Sequence, residues 1–277
     1  MDLILQGNDI ETGDLKTLAK LTGASGIEQL TPKAFRLKDA QQDPGVPELC
    51  ERAKLDYGYV PPERRLADYR LLVMDMDSTL ITIETIDELA DLVGLKTEVA
   101  AITEAAMRGE IDYDDSLRRR VAVLKGLGED ALQRVYDERV TLTPGAEKLL
   151  AAAQSAGVKT MLVSGGFTYV TDRLQTRLGL DYARSNCLEL VDGKLTGGVV
   201  GAIVNADGKR EALLEVRDRL GISREQIIGI GDGANDLKFM GECGVSIAYH
   251  AKPIVRGQTT YALNYLDLSG VLPLFNA

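Results

Sequence analysis

Leu71-Leu72-Val73-Met74-Asp75-Met76-Asp77-Ser78-Thr79 is the stretch on which the fold turns: four apolar residues of strand length running directly into two aspartates. The same grammar recurs twice downstream. Val158 to Val163 runs into Ser164-Gly165-Gly166, and Ile227 to Ile230 runs into Gly231-Asp232-Gly233. Helical patterns follow these runs, which predicts an α/β fold with a parallel sheet; Val245 to Ala248 offers a further short strand.

Between these strands the pattern is helical. Ile86, Leu89, Ala90 and Val93 share one helix face, and Leu117, Val121 and Leu124 share another, so residues 84–140 read as a helical cap inserted after the first strand. A helix is expected from Thr143 as N-cap through Pro144 at its first position to a stop at Gly157, with Ala146, Leu149, Leu150 and Ala153 buried. Cys187 to Val191 and Lys194 to Val199 flank Asp192-Gly193, a hairpin signal. Ahead of all this, residues 1–62 form a small α+β unit, with short runs at Leu3 to Leu5 and Phe35 to Leu37, a helix carrying Leu15, Leu18 and Ala19, and another beginning at Pro47. Tyr59-Val60-Pro61-Pro62 punctuates its end. The remaining segments, 63–83 and 141–277, make up the core.

Composition supports a core of ordinary size: 45% of the 277 residues are apolar and 27% charged. The net charge of −10 argues against nucleic acid as a partner, because that interaction rests on clustered Lys and Arg. Cys50, Cys187 and Cys243 are odd in number and far apart, which predicts buried small hydrophobes rather than disulfides or a zinc site. The N-terminus lacks a basic region before a long apolar stretch, and no segment has the length of a membrane span, so the expectation is a cytoplasmic chain without a membrane partner. A homo-oligomer is compatible with the sequence, which does not decide it.

In a doubly wound sheet, ligands bind beyond the carboxyl ends of the strands. Asp75, Ser164 and Asp232 sit at such ends, and with Asp77 and Asp236 they bring four carboxylates toward one cleft. Carboxylates that close repel unless a cation or shared proton intervenes. Mg2+ takes oxygen ligands and commonly binds through one or two carboxylates together with a substrate phosphate, so a phosphorylated substrate follows from the metal chemistry.

These residues resemble, motif by motif and in order, the haloacid dehalogenase (HAD)-like hydrolases: Asp75-Met76-Asp77-Ser78-Thr79, then Ser164, then Lys209, then Gly231-Asp232-Gly233-Ala234-Asn235-Asp236. Glu84, Met107, Arg120 and Ser164-Gly165-Gly166-Phe167 narrow the resemblance to phosphoserine phosphatases, with Tyr113 where some relatives have Phe. The resemblance covers Leu71 to the C-terminus and implies a Rossmann-like HAD core. It implies Asp75 as nucleophile, Asp77 as general acid and base, and Ser164, Gly165 and Lys209 on the phosphoryl group. Glu84, Met107, Tyr113, Arg120 and Asn235 would contact the substrate, and Asp75, Asp77, Asp232 and Asp236 would hold Mg2+, Asp77 through its backbone carbonyl and Asp236 directly or through water. The implied reaction is hydrolysis of O-phospho-L-serine, the last step of serine biosynthesis. Relatives often carry amino-acid-binding regulatory domains at the N-terminus, of which residues 1–62 would be a reduced version.

Each residue also has a plainer reading. Aspartates cap helices and turns, Ser164-Gly165-Gly166 could be a turn, and Arg118, Arg119 and Arg120 could be a solvated helix face. Arg64, Arg65 and Arg70 read as a solvated linker face, and His250, the lone histidine, as structural or on the surface. Three other functions stay open: a HAD-type phosphatase or phosphotransferase acting on another small phosphomonoester, a phosphoacceptor signalling module, and a catalytically idle binding protein on this fold.

Overall fold

A strand forms over Leu71–Met74, where four apolar residues run unbroken up to an aspartate. A computed structural model describes residues 1–276. In chain order the strands are β1 (Asp2–Gln6), β2 (Gly26–Thr31), β3 (Ala34–Lys38), β4 (Asp56–Val60), β5 (Leu71–Met74) and β6 (Lys159–Phe167). They continue with β7 (Tyr182–Val191), β8 (Lys194–Val200), β9 (Ile227–Gly231), β10 (Val245–Tyr249) and β11 (Tyr261–Leu263). The helices the argument needs are α1 (Thr12–Leu21), α2 (Val46–Ala53), α3 (Thr85–Leu92), α4 (Lys96–Met107), α5 (Tyr113–Val123) and α6 (Glu129–Glu138). After them come α7 (Ala146–Ser155), α8 (Thr168–Leu178) and α9 (Ala206–Leu220). One sheet has four antiparallel strands in the order β2-β3-β1-β4, and a mostly parallel one has the order β11-β10-β9-β5-β6-β7-β8. The class is α/β. Among the described residues no helix is long and apolar enough to cross a membrane.

The chain divides into two compact units. The first comprises Met1–Leu72, Pro144–Lys159 and Ile222–Ala277. In it, Leu3 and Leu5 of β1 and Leu37 of β3 meet Leu15 and Leu18 of α1 and Val46 and Cys50 of α2 in one apolar cluster. Strand β4 was not expected beside Pro61-Pro62, yet it forms because tertiary partners hold it. The Tyr261 hydroxyl donates to the Tyr59 carbonyl at 2.8 Å, and the buried Asp56 carboxylate accepts backbone N–H groups of Asn264, Tyr265 and Leu266 at 2.6, 3.0 and 3.1 Å. Burial pushes the Asp56 carboxyl up, while these donors pull it down. Strands β2 and β11 were likewise not expected from sequence.

Two further expectations in this unit need correction. Helix α7 begins at Ala146, not at Pro144, because Gly145 adopts φ +82° at its N-cap and packs where a Cβ would lie 2.4 Å from the Ser269 nitrogen. Thr143 instead donates its N–H to Leu80 O at 2.9 Å. Arg64 is no simple solvated residue: its guanidinium donates to the Tyr261 hydroxyl and lies over that ring.

The second unit comprises Val73–Thr143 and Thr160–Gly221. Its helices α3, α5 and α6 bury Ile86, Leu89, Leu117, Val121, Leu124 and Val135 together, as the helical periodicity predicted, with Leu188 of β7 and Leu195 of β8 completing the cluster. The β7–β8 hairpin turns through Asp192 and Gly193 at φ +50° and +72°, the paired positive values that Asp-Gly supplies. It ties to the helical block by Gly126 N–H to Leu195 O and Leu195 N–H to Leu127 O, both 2.8 Å. Cys50 and Cys243 are buried as expected, but Cys187 of β7 is exposed, since it falls on the strand face away from that cluster.

Candidate active site

The residues after β5 do not continue as regular structure. Asp77 is extended and Ser78 turns left-handed at φ +57°, unusual for a non-glycine residue, so the chain reverses over Met76–Leu80. The turn closes by Ile81 N–H to Met76 O at 3.0 Å. The reversal gives the two aspartates different surroundings. Asp75 is 5% exposed; its Oδ1 accepts the Met76 N–H at 2.7 Å and lies 2.8 Å from Lys209 Nζ. Asp77 accepts the Thr85 hydroxyl on Oδ1 at 2.6 Å and the Thr85 N–H on Oδ2 at 3.3 Å. Desolvation by the packed atoms around it, reinforced by the Glu84 carboxylate, pushes the Asp77 carboxyl up to about 7, against the pull of the Thr85 hydrogen bonds and Lys209.

Glu84 stands at the N-terminus of α3, but its side chain caps nothing there: it accepts the Ser78 hydroxyl at 2.7 Å. Burial raises its carboxyl, and Ser78, Arg120 and Lys209 oppose that rise. Arg120, in the last turn of α5, has its Nε buried with no hydrogen-bond partner, an unmet donor that normally costs stability. Arg119 beside it follows the plainer reading, pairing with Asp115 on the surface at 3.3 Å.

Strand β6 carries Ser164 and Gly165 through an irregularity in its pairing: Val163 faces Arg184, yet Phe167 faces Asn186, so β6 spends two extra residues there. Such bulges re-aim a strand locally. Ser164 is 1% exposed and its hydroxyl oxygen accepts the Gly166 N–H at 2.8 Å. A Cβ on Gly165 would lie 2.1 Å from the Tyr113 hydroxyl, and one on Gly166 2.7 Å from Met76 Cε and 3.3 Å from Asp77 Oδ2, so a side chain at either position would displace these groups. Asn186, 2% exposed, fixes the loop from behind, donating to Gly165 O and accepting the Val204 N–H, each at 2.8 Å.

Lys209 is 1% exposed in the first turns of α9. Asn205 starts that helix: its Oδ1 accepts the N–H groups of Asp207 and Gly208 at 3.0 Å, and its Nδ2 donates to Asp114 on α5 at 2.9 Å. The cap thereby sets the position of the lysine relative to Tyr113 and Arg120.

Asp232 follows β9, and Asp236, fully buried, accepts the Gly233 N–H at 3.0 Å while closing against Gly231, where a Cβ would lie 2.5 Å from its Oδ2. A Cβ on Gly233 would lie 2.1 Å from the Asn235 side-chain oxygen, which would have to turn away. Carboxylate oxygens of Asp75, Asp232 and Asp236 lie within 4.8 Å of one another. Three carboxylates that near form an oxygen-only donor set suited to a hard divalent cation. Met107, at the end of α4, is 69% exposed. His250 is structural, with a ring nitrogen 2.9 Å from Leu266 O.

Three residues that sequence reasoning passed over belong to this arrangement: Thr85, Asn186 and Asn205. Asn205 alone left a local trace, as an Asx residue immediately before a helix. Thr85 and Asn186 act on residues 8 and 21 positions away, beyond the reach of a turn or helix period, and left none.

The family profile of the haloacid dehalogenase-like hydrolases matches residues 69–244, and one described as a domain of unknown function matches residues 3–46. A phosphoserine phosphatase from Polaromonas sp. is 55% identical over 218 residues, covering 77% of this chain and 92% of that protein. Among solved structures, a HAD-family hydrolase from Salmonella enterica serovar Typhi superposes with a TM-score of 0.90 at 33% identity, covering 99% of this chain and 98% of that one. A probable phosphoserine phosphatase from Vibrio cholerae superposes with a TM-score of 0.87 at 36% identity, covering 99% and 85%.

Proposed function

Because the chain belongs to the haloacid dehalogenase-like hydrolase family, we propose that it hydrolyses O-phospho-L-serine to L-serine and phosphate through an aspartyl-phosphate on Asp75. One observation carries the chemistry: two carboxylates two residues apart in opposite electrostatic settings. Asp75 has the Lys209 ammonium at 2.8 Å, which favours its ionised, nucleophilic form. Asp77, raised to about 7, carries a proton in about half the molecules at neutral pH and can give it away. Environments that separate two acids in this way assign a nucleophile and a proton donor.

In the first step an Asp75 oxygen bonds to phosphorus, the bond from phosphorus to the seryl oxygen breaks, and Asp77 delivers its proton to that oxygen. In the second, Asp77 takes a proton from water, the water oxygen bonds to phosphorus, and the bond to Asp75 breaks. Lys209, the Ser164 hydroxyl and the Gly165 N–H stabilise the charge on the transferring group, and the lack of a Cβ at Gly165 allows its close approach. Asp75, Asp232 and Asp236, with the Asp77 carbonyl, would hold Mg2+, which when bound neutralises charge on the phosphoryl oxygens.

Substrate choice rests on Arg120 and Glu84. The unmet Nε of Arg120 suits a carboxylate, which a guanidinium grips through two parallel hydrogen bonds, and Glu84 suits an ammonium. Tyr113, Met107 and Asn235 border the substrate. In this reading residues 84–140 form the cap, residues 63–83 and 141–277 the core, and residues 1–62 an appended unit; the enzyme works in the cytoplasm in serine biosynthesis.

Phosphate release from L-phosphoserine, set against sugar, nucleotide and other amino-acid phosphates with Mg2+ or EDTA, tests the proposal. Selective, Mg2+-dependent release that Asp75→Asn abolishes is expected. Equal rates across the panel would retain the chemistry and refute the roles of Arg120 and Glu84; a stable phosphoprotein without turnover would refute hydrolysis.

A further inference from the structure

Helix α5 carries Tyr113 and Arg120 about two turns apart, so both side chains leave it on one face. Arg120 is the partner proposed for the substrate carboxylate and Lys209 the partner for its phosphoryl group. Where α5 lies against α9 therefore fixes how long a molecule can engage both. Contacts at each end of α5 tie it to the stretch of chain that runs from β8 into α9. Near the C-terminal end, Gly197 of β8 adopts φ +87°, and a Cβ there would lie 3.2 Å from Ala122 Cα and 3.1 Å from Lys125 Cβ, so strand and helix meet closely. At the N-terminal end, Asp114 Oδ1 accepts a hydrogen bond from Asn205 Nδ2 at 2.9 Å, between residues 91 positions apart.

Both partners are held by further bonds. Asn205 spends its Oδ1 on the Asp207 and Gly208 N–H groups, and its backbone carbonyl accepts the Lys209 N–H at 2.8 Å. Val204, one residue earlier, donates its N–H to Asn186, whose amide donates to Gly165 O. Asp114 lies in the first turn of α5, which Asp112 caps by accepting the Asp115 N–H at 2.8 Å. One amide thus joins the helix that carries the lysine to the helix that carries the arginine. The adjoining bonds fix that junction to the loop whose Gly165 meets the phosphoryl group. An ionised acceptor makes the Asp114 bond stronger than a neutral pair would be.

We propose that the Asp114–Asn205 pair sets the spacing between Lys209 and Arg120 and thereby selects the chain length of the substrate, an inference that rests on the phosphoserine reading. Both are positioning residues, which act through the lysine and the arginine. With the pair broken, each cation can still bind its own group, but no longer at one fixed separation. A substrate that engages both cations loses affinity and the enzyme loses its preference over a longer homologue. A substrate that uses Lys209 alone does not sense the change.

Three substrates read this out on the full-length chain with Mg2+: O-phospho-L-serine, O-phospho-L-homoserine, which is one methylene longer, and O-phosphoethanolamine, which lacks the carboxylate. Asn205→Asp keeps a side chain that caps a helix as well as asparagine does, but sets one carboxylate against another. Adding Asp114→Asn restores a donor facing a carboxylate, with the direction of the bond reversed. Asn205→Asp is expected to lower kcat/KM for phosphoserine about tenfold, to narrow its preference over the homologue by a similar factor, and to leave phosphoethanolamine within about twofold. The double variant should recover both the rate and the preference. Equal loss on all three substrates, or a double variant no better than Asn205→Asp, would overturn the proposal, since a damaged fold spares no substrate. A wild-type chain that treats the three substrates alike would refute the phosphoserine reading itself. A selective wild type whose preference survives Asn205→Asp would overturn the pairing alone.

Discussion

Thr85→Val preserves the shape of a buried side chain and deletes one hydroxyl, the one that donates to Asp77 Oδ1 at 2.6 Å. The Thr85 N–H to Oδ2 at 3.3 Å remains. A hydrogen bond to an ionised group is worth about 1.5–3 kcal/mol, and one pKa unit corresponds to about 1.4 kcal/mol, so the Asp77 carboxyl should rise by about 1–2 units from its position near 7. In the unfolded chain an aspartate titrates near about 3.9. Below that value both states are protonated and Asp77 adds no pH dependence. Above it the unfolded state loses its proton first, so the contribution of Asp77 to stability falls as pH rises through about 7. In Thr85→Val the fall continues to higher pH.

Urea unfolding in the presence of a chelator should therefore show a cost of Thr85→Val about 1.3–2.3 kcal/mol larger at pH 9 than at pH 5. With Mg2+ present, the acid limb of the kcat profile for phosphate release, which reports Asp77 as base, should move to higher pH by a comparable interval. An unmoved limb together with a pH-independent cost would refute the claim that Thr85 acts through the titration of Asp77.

Gly165→Ala should lose most activity, because its Cβ would lie 2.1 Å from the Tyr113 hydroxyl; the double variant with Tyr113→Phe should regain much of it, since the next ring atom lies at 3.4 Å, and steady-state kinetics of the four proteins would show the coupling. Asn186→Ala removes one buried and one partly buried hydrogen bond, to Val204 N–H and Gly165 O, so it should cost about 2–4 kcal/mol in chemical denaturation and lower kcat as well. Lys209→Met keeps the volume of a side chain that is 1% exposed but deletes the ammonium beside Asp75; kcat/KM should fall by at least about 10²-fold, as measured by phosphate release.

Much of the site is encoded locally. Four apolar residues ending in Asp75, a glycine frame around Asp232 and an Asp-Gly pair at 192–193 each report their own backbone, because strand period and turn conformation depend on neighbours a few residues away. The burial of Leu117, Val121 and Leu124 follows the same rule, with the helical repeat as its source. Where expectation failed, a distant partner decided the outcome. Helix α7 starts late because Gly145 must fit beneath Ser269; β4 persists next to two prolines because Asn264, Tyr265 and Leu266 donate to Asp56. Whether nearby anions or cations would govern Asp77 could not be read from residue identity, since the answer lies in packing around the carboxyl, the approach of Glu84 and two hydrogen bonds from Thr85. The sequence alone determined which groups could do the chemistry and at which strand ends they stand, because those follow from short-range pattern. Only the tertiary structure decided which acid is raised toward neutrality, which glycines lie tight against neighbouring side chains and that Arg120 keeps an unmet donor, because desolvation and hydrogen bonding are set by packing that residue identity does not reveal.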